Sequence, residues 1–324
     1  MRIAIVAESF LPLMNGVTHS ILRVLDHLQE RGDDVLVIAP SAHDCGTPAA
    51  VKNAEVHRLP ALPLAGYANV RVAMGGVYRV KRILADYAPD VVHLASPFVL
   101  GWRAAQAAAQ LGLPTVAVYQ TEVPSYAARY GVPFLENWAW NRVENIHLLA
   151  TRTLVPSTFA LNQLRGRGIP RIRMWRRGVD TMRFSPGKRD DGWRATAAPN
   201  GERIIGYVGR LAVEKQVADL AALAGIPNSK LLIVGDGPQR AALESALPGA
   251  VFTGFLGGDV LARAMASFDL FVHPGEYETF CQTIQEAMAS GVPVVATGRG
   301  GPLDLVENSR TGWLYEPGDL SGMR

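Results

Sequence analysis

Short apolar runs, many rich in β-branched residues, alternate with longer amphipathic stretches along this chain. Strands are expected at 2–8, 34–39, 91–95, 115–120, 152–156, 203–208, 230–234, 250–253, 269–273 and 293–296. Helical patterns lie between them, among them Val17–Arg31, Arg71–Tyr87 and Leu261–Ser267. Alternation of this kind predicts an α/β fold whose parallel sheets are built from right-handed crossovers. Several strands are apolar on successive residues, as expected when helices cover both faces of a sheet. The rhythm breaks once, at 181–202, where Ser185-Pro186-Gly187-Lys188-Arg189 and Ala198-Pro199-Asn200-Gly201 gather turn formers and charge. We therefore expect a doubly wound, Rossmann-like domain over 1–185, a linker over 186–202 and a second such domain over 203–324. Two such domains would face each other across a cleft lined by loops at the carboxyl ends of strands.

With 324 residues, 48% of them hydrophobic, the chain can bury two ordinary cores. No run is apolar enough to span a bilayer, and Met1-Arg2 leads straight into a strand without a secretory signal. Cys45 and Cys281 give no disulfide framework, which fits a reducing, cytoplasmic compartment. The net charge of +3 hides an asymmetry. Residues 151–190 carry 10 basic and 2 acidic side chains, whereas 191–324 carry 10 and 15. The basic stretch reads either as a solvated connector or as a surface that attracts an anionic donor or lipid head groups. No aromatic-interleaved basic motif accompanies it, so nucleic acid is not an expected partner.

Candidate chemistry concentrates after strand 269–273. There Pro274-Gly275-Glu276-Tyr277-Glu278-Thr279-Phe280-Cys281-Gln282-Thr283-Ile284-Gln285-Glu286 runs from a strand into a helix, with seven residues between Glu278 and Glu286. A strand-to-helix junction offers free backbone N–H groups and a positive dipole end, which suit phosphate. Carboxylates suit sugar hydroxyls instead, so the segment reads as a site for a sugar attached to a phosphate. After strand 203–208, Gly209-Arg210-Leu211-Ala212-Val213-Glu214-Lys215 places a forked guanidinium and an ammonium near a strand end, where both can hold phosphate oxygens. Gly235-Asp236-Gly237-Pro238 is another strand-end loop, either a tight turn or a ligand contact, and lacks the third glycine of a dinucleotide fingerprint. In the first half, Gly16 follows the opening strand and Gln120 closes strand 115–120. Gln120 can donate and accept hydrogen bonds but cannot act as a general base. No Asp-x-Asp pair occurs, and Cys and His show no metal-ligand spacing, so neither a metal nor an organic cofactor is expected.

The ordered set of the Gly16 loop, Gly209-Arg210-x4-Lys215, Gly235-Asp236-Gly237-Pro238 and Glu278-x7-Glu286 resembles glycosyltransferase family 4 over essentially the whole chain. The resemblance implies the GT-B fold and retaining transfer. Val118-Tyr119-Gln120-Thr121-Glu122-Val123-Pro124 and Glu278-Thr279-Phe280-Cys281-Gln282 look most like the actinobacterial GDP-mannose-dependent branch, which builds mannosylated glycolipids at the inner membrane face. It implies that Glu278 binds the transferred hexose, and that backbone N–H groups around Phe280, Cys281 and Gln282 meet its hydroxyls. Gln282 and Thr283 would reach the phosphates, Arg210 and Lys215 would hold the diphosphate, and Glu286 would accept from the ribose. Gly254-Phe255 would lie beside the base, and Gly16 would let the first domain close. Gln120 stands where many members have histidine, so no imidazole role transfers to it. Family members usually continue beyond Met323-Arg324 with further helices, so the end is expected to be short.

Two other readings stay open at this stage. One is a UDP-sugar-dependent glucosyl or sulfoquinovosyl transferase, and the other is a truncated, non-catalytic nucleotide-sugar binder. The acceptor would meet loops around 60–80 and 122–145. Arg71–Tyr87 is either an ordinary amphipathic surface helix or a face that rests on anionic lipid.

Overall fold

The computed structural model describes residues 1–42, 49–64, 67–122, 124 and 136–324. Cys45, and residues 123 and 125–135 of the 122–145 acceptor loop, lie outside them. The chain divides into two compact units, the second comprising Arg176–Arg324 with a few earlier residues.

In the first unit, β1 (Arg2–Ala7), β2 (Asp34–Pro40), β3 (Ala50–Val51), β4 (Ala54–Leu59), β7 (Val91–Ala95), β8 (Thr115–Val118), β9 (Arg152–Val155) and β10 (Ile172–Met174) form one sheet. Its order is β10-β9-β8-β7-β1-β2-β4-β3, and the short β3–β4 pair is antiparallel while the others are parallel. A hairpin of β5 (Ala61–Leu64) and β6 (Tyr67–Ala73) stands apart from it. The second unit holds β11 (Arg203–Val208), β12 (Ser229–Val234), β13 (Val251–Gly254), β14 (Leu270–His273), β15 (Val294–Thr297) and β16 (Trp313–Tyr315). They run parallel in the order β13-β12-β11-β14-β15-β16.

Successive residues of a strand face opposite sides of its sheet. In β1, Ala4 and Val6 therefore enter one core while Ile3, Ile5 and Ala7 enter another. Ile204 and Val208 of β11 likewise oppose Ile205 and Tyr207. The continuous apolar runs are thus strands sandwiched between two helical layers.

The ten expected strands all form, with ends shifted by a residue or two. Two expectations are corrected. Arg71–Tyr87 is not one helix: residues 67–73 pair antiparallel with β5, Gly75 turns at φ +98°, and the helix begins at Val77. The segment 186–202 is not a free linker either. It contains a 3-10 turn at Pro186–Lys188 and a helix at Asp191–Ala197, with Phe184 and Ala198 buried in the core of the second unit.

Asp269 ties this segment down. Its carboxylate accepts from Arg194 Nη2 at 2.9 Å, Arg189 Nη2 at 3.2 Å and the backbone N–H of Ile204 at 2.8 Å. Burial works against its ionisation, yet these donors hold its pKa below the usual carboxylate range. Asp269→Ala leaves the Ile204 N–H and two guanidinium groups without their acceptor. It is expected to lower unfolding free energy by about 2 kcal/mol, read as a shift in urea midpoint; an unchanged midpoint would show that the clamp carries no stability.

Candidate active site

In an open α/β sheet the ligand crevice lies where neighbouring strands send their connections to opposite sides. In the second unit that point falls between β11, whose chain continues to β12, and β14, whose chain continues to β15. The Gly209–Lys215 and Pro274–Cys281 loops leave the sheet there, and their side chains meet. Lys215 Nζ donates to Glu278 Oε1, and His273 Nε2 lies 3.1 Å from the same oxygen. The His273 side chain is 3% exposed and that of Glu278 12%. Burial alone would raise the Glu278 pKa, but the Lys215 ammonium and the His273 imidazole outweigh it and bring it down to about 2. Burial works against the charged form of His273 in turn, while Cys281 and Glu278 raise its pKa above the ordinary imidazole value. The His273 ring also stacks on Tyr207 and Phe271, with centroids 6.1 and 6.4 Å away.

Close backbone packing fixes these loops. A Cβ on Gly235, whose φ is +139°, would stand 1.9 Å from the Gly209 carbonyl oxygen. One on Gly300 would stand 2.6 Å from the Glu278 carbonyl oxygen. Gln216 Nε2 donates to Glu276 Oε1 at 2.9 Å, and Gln216 Oε1 accepts from the Glu276 N–H at 2.9 Å. Cys281 then takes a left-handed conformation at φ +72°, and the helix Gln282–Ala289 starts behind it with no side-chain cap. The first-turn N–H groups of that helix are therefore positioned for an anionic ligand.

The first unit treats its own crevice differently. Its strands diverge between β1 and β7, and the carboxylate of Glu8 accepts from the N–H groups of Phe98 at 2.7 Å and Gly101 at 2.8 Å. A protein carboxylate thus sits at the start of helix Leu100–Leu111. Burial raises the Glu8 pKa against the lowering effect of those N–H groups.

Two family models match the chain. Residues 14–183 match Glycosyltransferase Family 4, and residues 202–323 match Glycosyl transferases group 1. The chain is 48% identical over 327 residues to the GDP-mannose-dependent alpha-mannosyltransferase of Mycobacterium tuberculosis, covering 99% of this chain and 85% of that protein. It is 51% identical over 321 residues to the enzyme of that name from Mycolicibacterium smegmatis, covering 98% and 84%. Arabidopsis thaliana sulfoquinovosyl transferase SQD2 is 35% identical, with 98% of this chain and 64% of that protein covered. The chain belongs to glycosyltransferase family 4.

Solved structures agree on the fold. Sucrose-phosphate synthase from Thermosynechococcus elongatus superposes with a TM-score of 0.81 at 23% identity, covering 99% of this chain and 87% of that one. HepE of Anabaena, solved with UDP, gives 0.79 at 20% identity, covering 100% and 88%. The two Rossmann-like halves are those of the GT-B class.

Among the residues singled out in the sequence, Lys215 and Glu278 are in contact. Arg210 is exposed on the loop of Lys215 and makes no ion pair among the described residues. Phe280 and Cys281 are buried, and Gln282, Thr283 and Glu286 are partly buried on the following helix. Asp236 is exposed and ion-paired with Arg240 at 3.3 Å; Gly254 ends β13, and Phe255 is 65% exposed beyond it. Gly209 is held by its N–H donating to the Val234 carbonyl at 3.0 Å. Gly16 and Gln120 belong to the first unit. Gly16 opens helix Gly16–Glu30 behind the capping Asn15, and Gln120 is buried just after β8.

Sequence reasoning missed three contributors. His273 was read as the last residue of a strand. Gly300-Gly301 carries no motif that singles it out in the sequence. Arg177 lay in the basic stretch, yet its guanidinium is 5.9 Å from the centre of the Phe280 ring and its carbonyl accepts from Gln285 Nε2 at 3.0 Å. Burial lowers the Arg177 pKa to about 10, with Glu286 opposing that shift.

A buried carboxylate stripped of its cation is costlier than a neutral pair. Lys215→Met should therefore destabilise the second unit by about 3 kcal/mol, and adding Glu278→Gln should restore much of that loss. Equal, additive losses in urea unfolding would show that the two side chains are not coupled.

Proposed function

We propose that this chain transfers mannose from GDP-mannose to a hydroxyl of a glycan or glycolipid, with retention of the alpha configuration and without a metal. The observation that carries this reading is the convergence of Lys215 and Glu278 beside an uncapped helix start at the sheet's divergence point. The relatives named above supply the sugar and the nucleotide.

In this reading Glu278 accepts hydrogen bonds from the hexose hydroxyls and lies near its anomeric carbon. Lys215 has three N–H donors, so it can keep Glu278 with one and hold a diphosphate oxygen with another. Arg210 grips the diphosphate from the exposed side, and the N–H groups at Gln282 and Thr283 meet its oxygens. Asp236 and the Gly254-Phe255 turn belong to the nucleoside end, and Glu286 serves the ribose hydroxyls.

The bond from the anomeric carbon to the phosphate oxygen breaks as the bond to the acceptor oxygen forms. The acceptor proton passes to the departing diphosphate on the same face of the sugar. No side-chain base is needed, and the rate comes from positioning and from charge stabilisation. Gln120 and Gly16 would serve the acceptor side, Gln120 through hydrogen bonds alone. The plugged helix start at Glu8 supports assigning the donor phosphates to the second unit rather than the first.

A peripheral contact with anionic lipid, at the inner face of the plasma membrane, belongs to the same proposal. Helix Val77–Tyr87 carries Arg79, Lys81 and Arg82, with Tyr78 78% exposed at its start. No helix among the described residues is long and apolar enough to cross a membrane. The chain is expected to pellet with anionic liposomes at low salt and to be released as salt rises; absence of pelleting at low salt would remove the lipid contact.

Arg210→Ala should cost on the order of 3 kcal/mol in transition-state stabilisation, about a hundredfold in kcat/KM, measured as GDP release from GDP-mannose. The anomeric proton signal of the product reports retention. Near-normal turnover of the variant would remove Arg210 from the reaction, and a beta product would overturn retention.

A further inference from the structure

The same crevice holds two side chains, His273 and the thiol of Cys281, that the proposed sugar transfer does not use, and both stand beside Glu278. A His273 ring nitrogen, a Glu278 carboxylate oxygen and Cys281 Sγ lie within 4.8 Å of one another. Imidazole, carboxylate and thiolate are the three side-chain donors that zinc accepts. His273 Nε2 faces the Glu278 carboxylate at 3.1 Å, so it is that nitrogen a shared ion would meet. Cys281 holds a left-handed backbone at φ +72°, a conformation that costs energy for any residue with a Cβ. That strained turn keeps the thiol beside the imidazole.

We infer that His273, Glu278 and Cys281 form a binding site for a thiophilic divalent cation of the zinc class, and that its occupancy excludes the nucleotide-sugar donor.

The ligand atoms of a tetrahedral zinc ion stand roughly 3.5 Å apart. Closing the cluster onto one ion therefore needs small side-chain movements rather than a new backbone path. His273 Nε2 and Glu278 Oε1 are already 3.1 Å apart. The resident cation at this place is the Lys215 ammonium, whose side chain is 23% exposed and ends a flexible four-carbon stem. An ion bound here must displace that ammonium from Glu278. Three protein ligands leave a fourth position for water, the arrangement of an exchangeable site rather than a closed structural one. Exclusion of the donor rests on the proposed role of Glu278 toward the hexose, because one carboxylate would serve both.

Cobalt(II) is the probe, since its thiolate complexes absorb visibly. Titration of the intact chain with cobalt is expected to give a sulfur-to-metal charge-transfer band and tetrahedral ligand-field bands, both abolished by added zinc. Cys281→Ser should lose the charge-transfer band, and His273→Gln should lose the tetrahedral signature. Circular dichroism and urea unfolding verify that each variant is folded; should one not fold, the other carries the test. Saturation with GDP-mannose before the titration should suppress the bands. No band in the wild-type chain, or a band retained in the folded variants, overturns the site; bands indifferent to GDP-mannose overturn the exclusion. Mannose transfer without added metal is measured separately, so loss of the functional reading leaves the metal result intact.

Discussion

One buried carboxylate organises the second unit. Glu278 stands in a pocket that opposes its charge, and it stays ionised because Lys215 and His273 answer that charge from two different strand ends. Withdrawing a carboxylate from water costs several kcal/mol unless partners replace the lost hydration. Those partners must arrive in register. The parallel pairing of β11 with β14 supplies the register, and the bare backbones of Gly235 and Gly300 let the loops pack close enough to keep it. The left-handed turn at Cys281 and the helix start at Gln282 follow directly from where that loop must end.

The two Rossmann-like units solve one electrostatic problem in opposite ways. Each has a helix start at its sheet's divergence point, with N–H groups that favour negative charge. The first unit fills the place with its own Glu8, held by the N–H groups of Phe98 and Gly101. In the second, the acidic side chain turns toward a lysine and a histidine, and the helix carries no cap. One helix start is thus neutralised by the chain itself, and the other carries no side-chain cap. The likeness to GDP-mannose-dependent relatives extends across nearly the entire chain, so it covers both arrangements.

Much of the architecture was legible because the central strands are apolar on consecutive residues, a signature of sheets covered on both faces. The Glu278 and Lys215 positions were legible too, since charged residues directly after apolar strands stand out. Other parts were hidden for physical reasons. β4 reads Ala54-Glu55-Val56-His57-Arg58-Leu59, whose polar positions mask a strand near the sheet edge. The 186–202 segment is polar and rich in turn formers, yet Arg189 and Arg194 reach Asp269 far along the chain. His273 looked like strand because it is strand, and only the fold shows its Nε2 beside Glu278. Cys281 stood out for its backbone N–H rather than its thiol; its neighbours His273 and Glu278 are at no recognisable ligand spacing, so the cluster emerges from the fold.

The central claim is that the Lys215–Glu278 crevice is a donor site selective for a guanine nucleotide. Isothermal titration of this chain with GDP and with UDP, in the presence of a chelator, tests it most directly. The account predicts one GDP bound per chain, with UDP binding at least tenfold weaker, about 1.4 kcal/mol apart. Tighter binding of UDP, or no heat from either nucleotide, would contradict it.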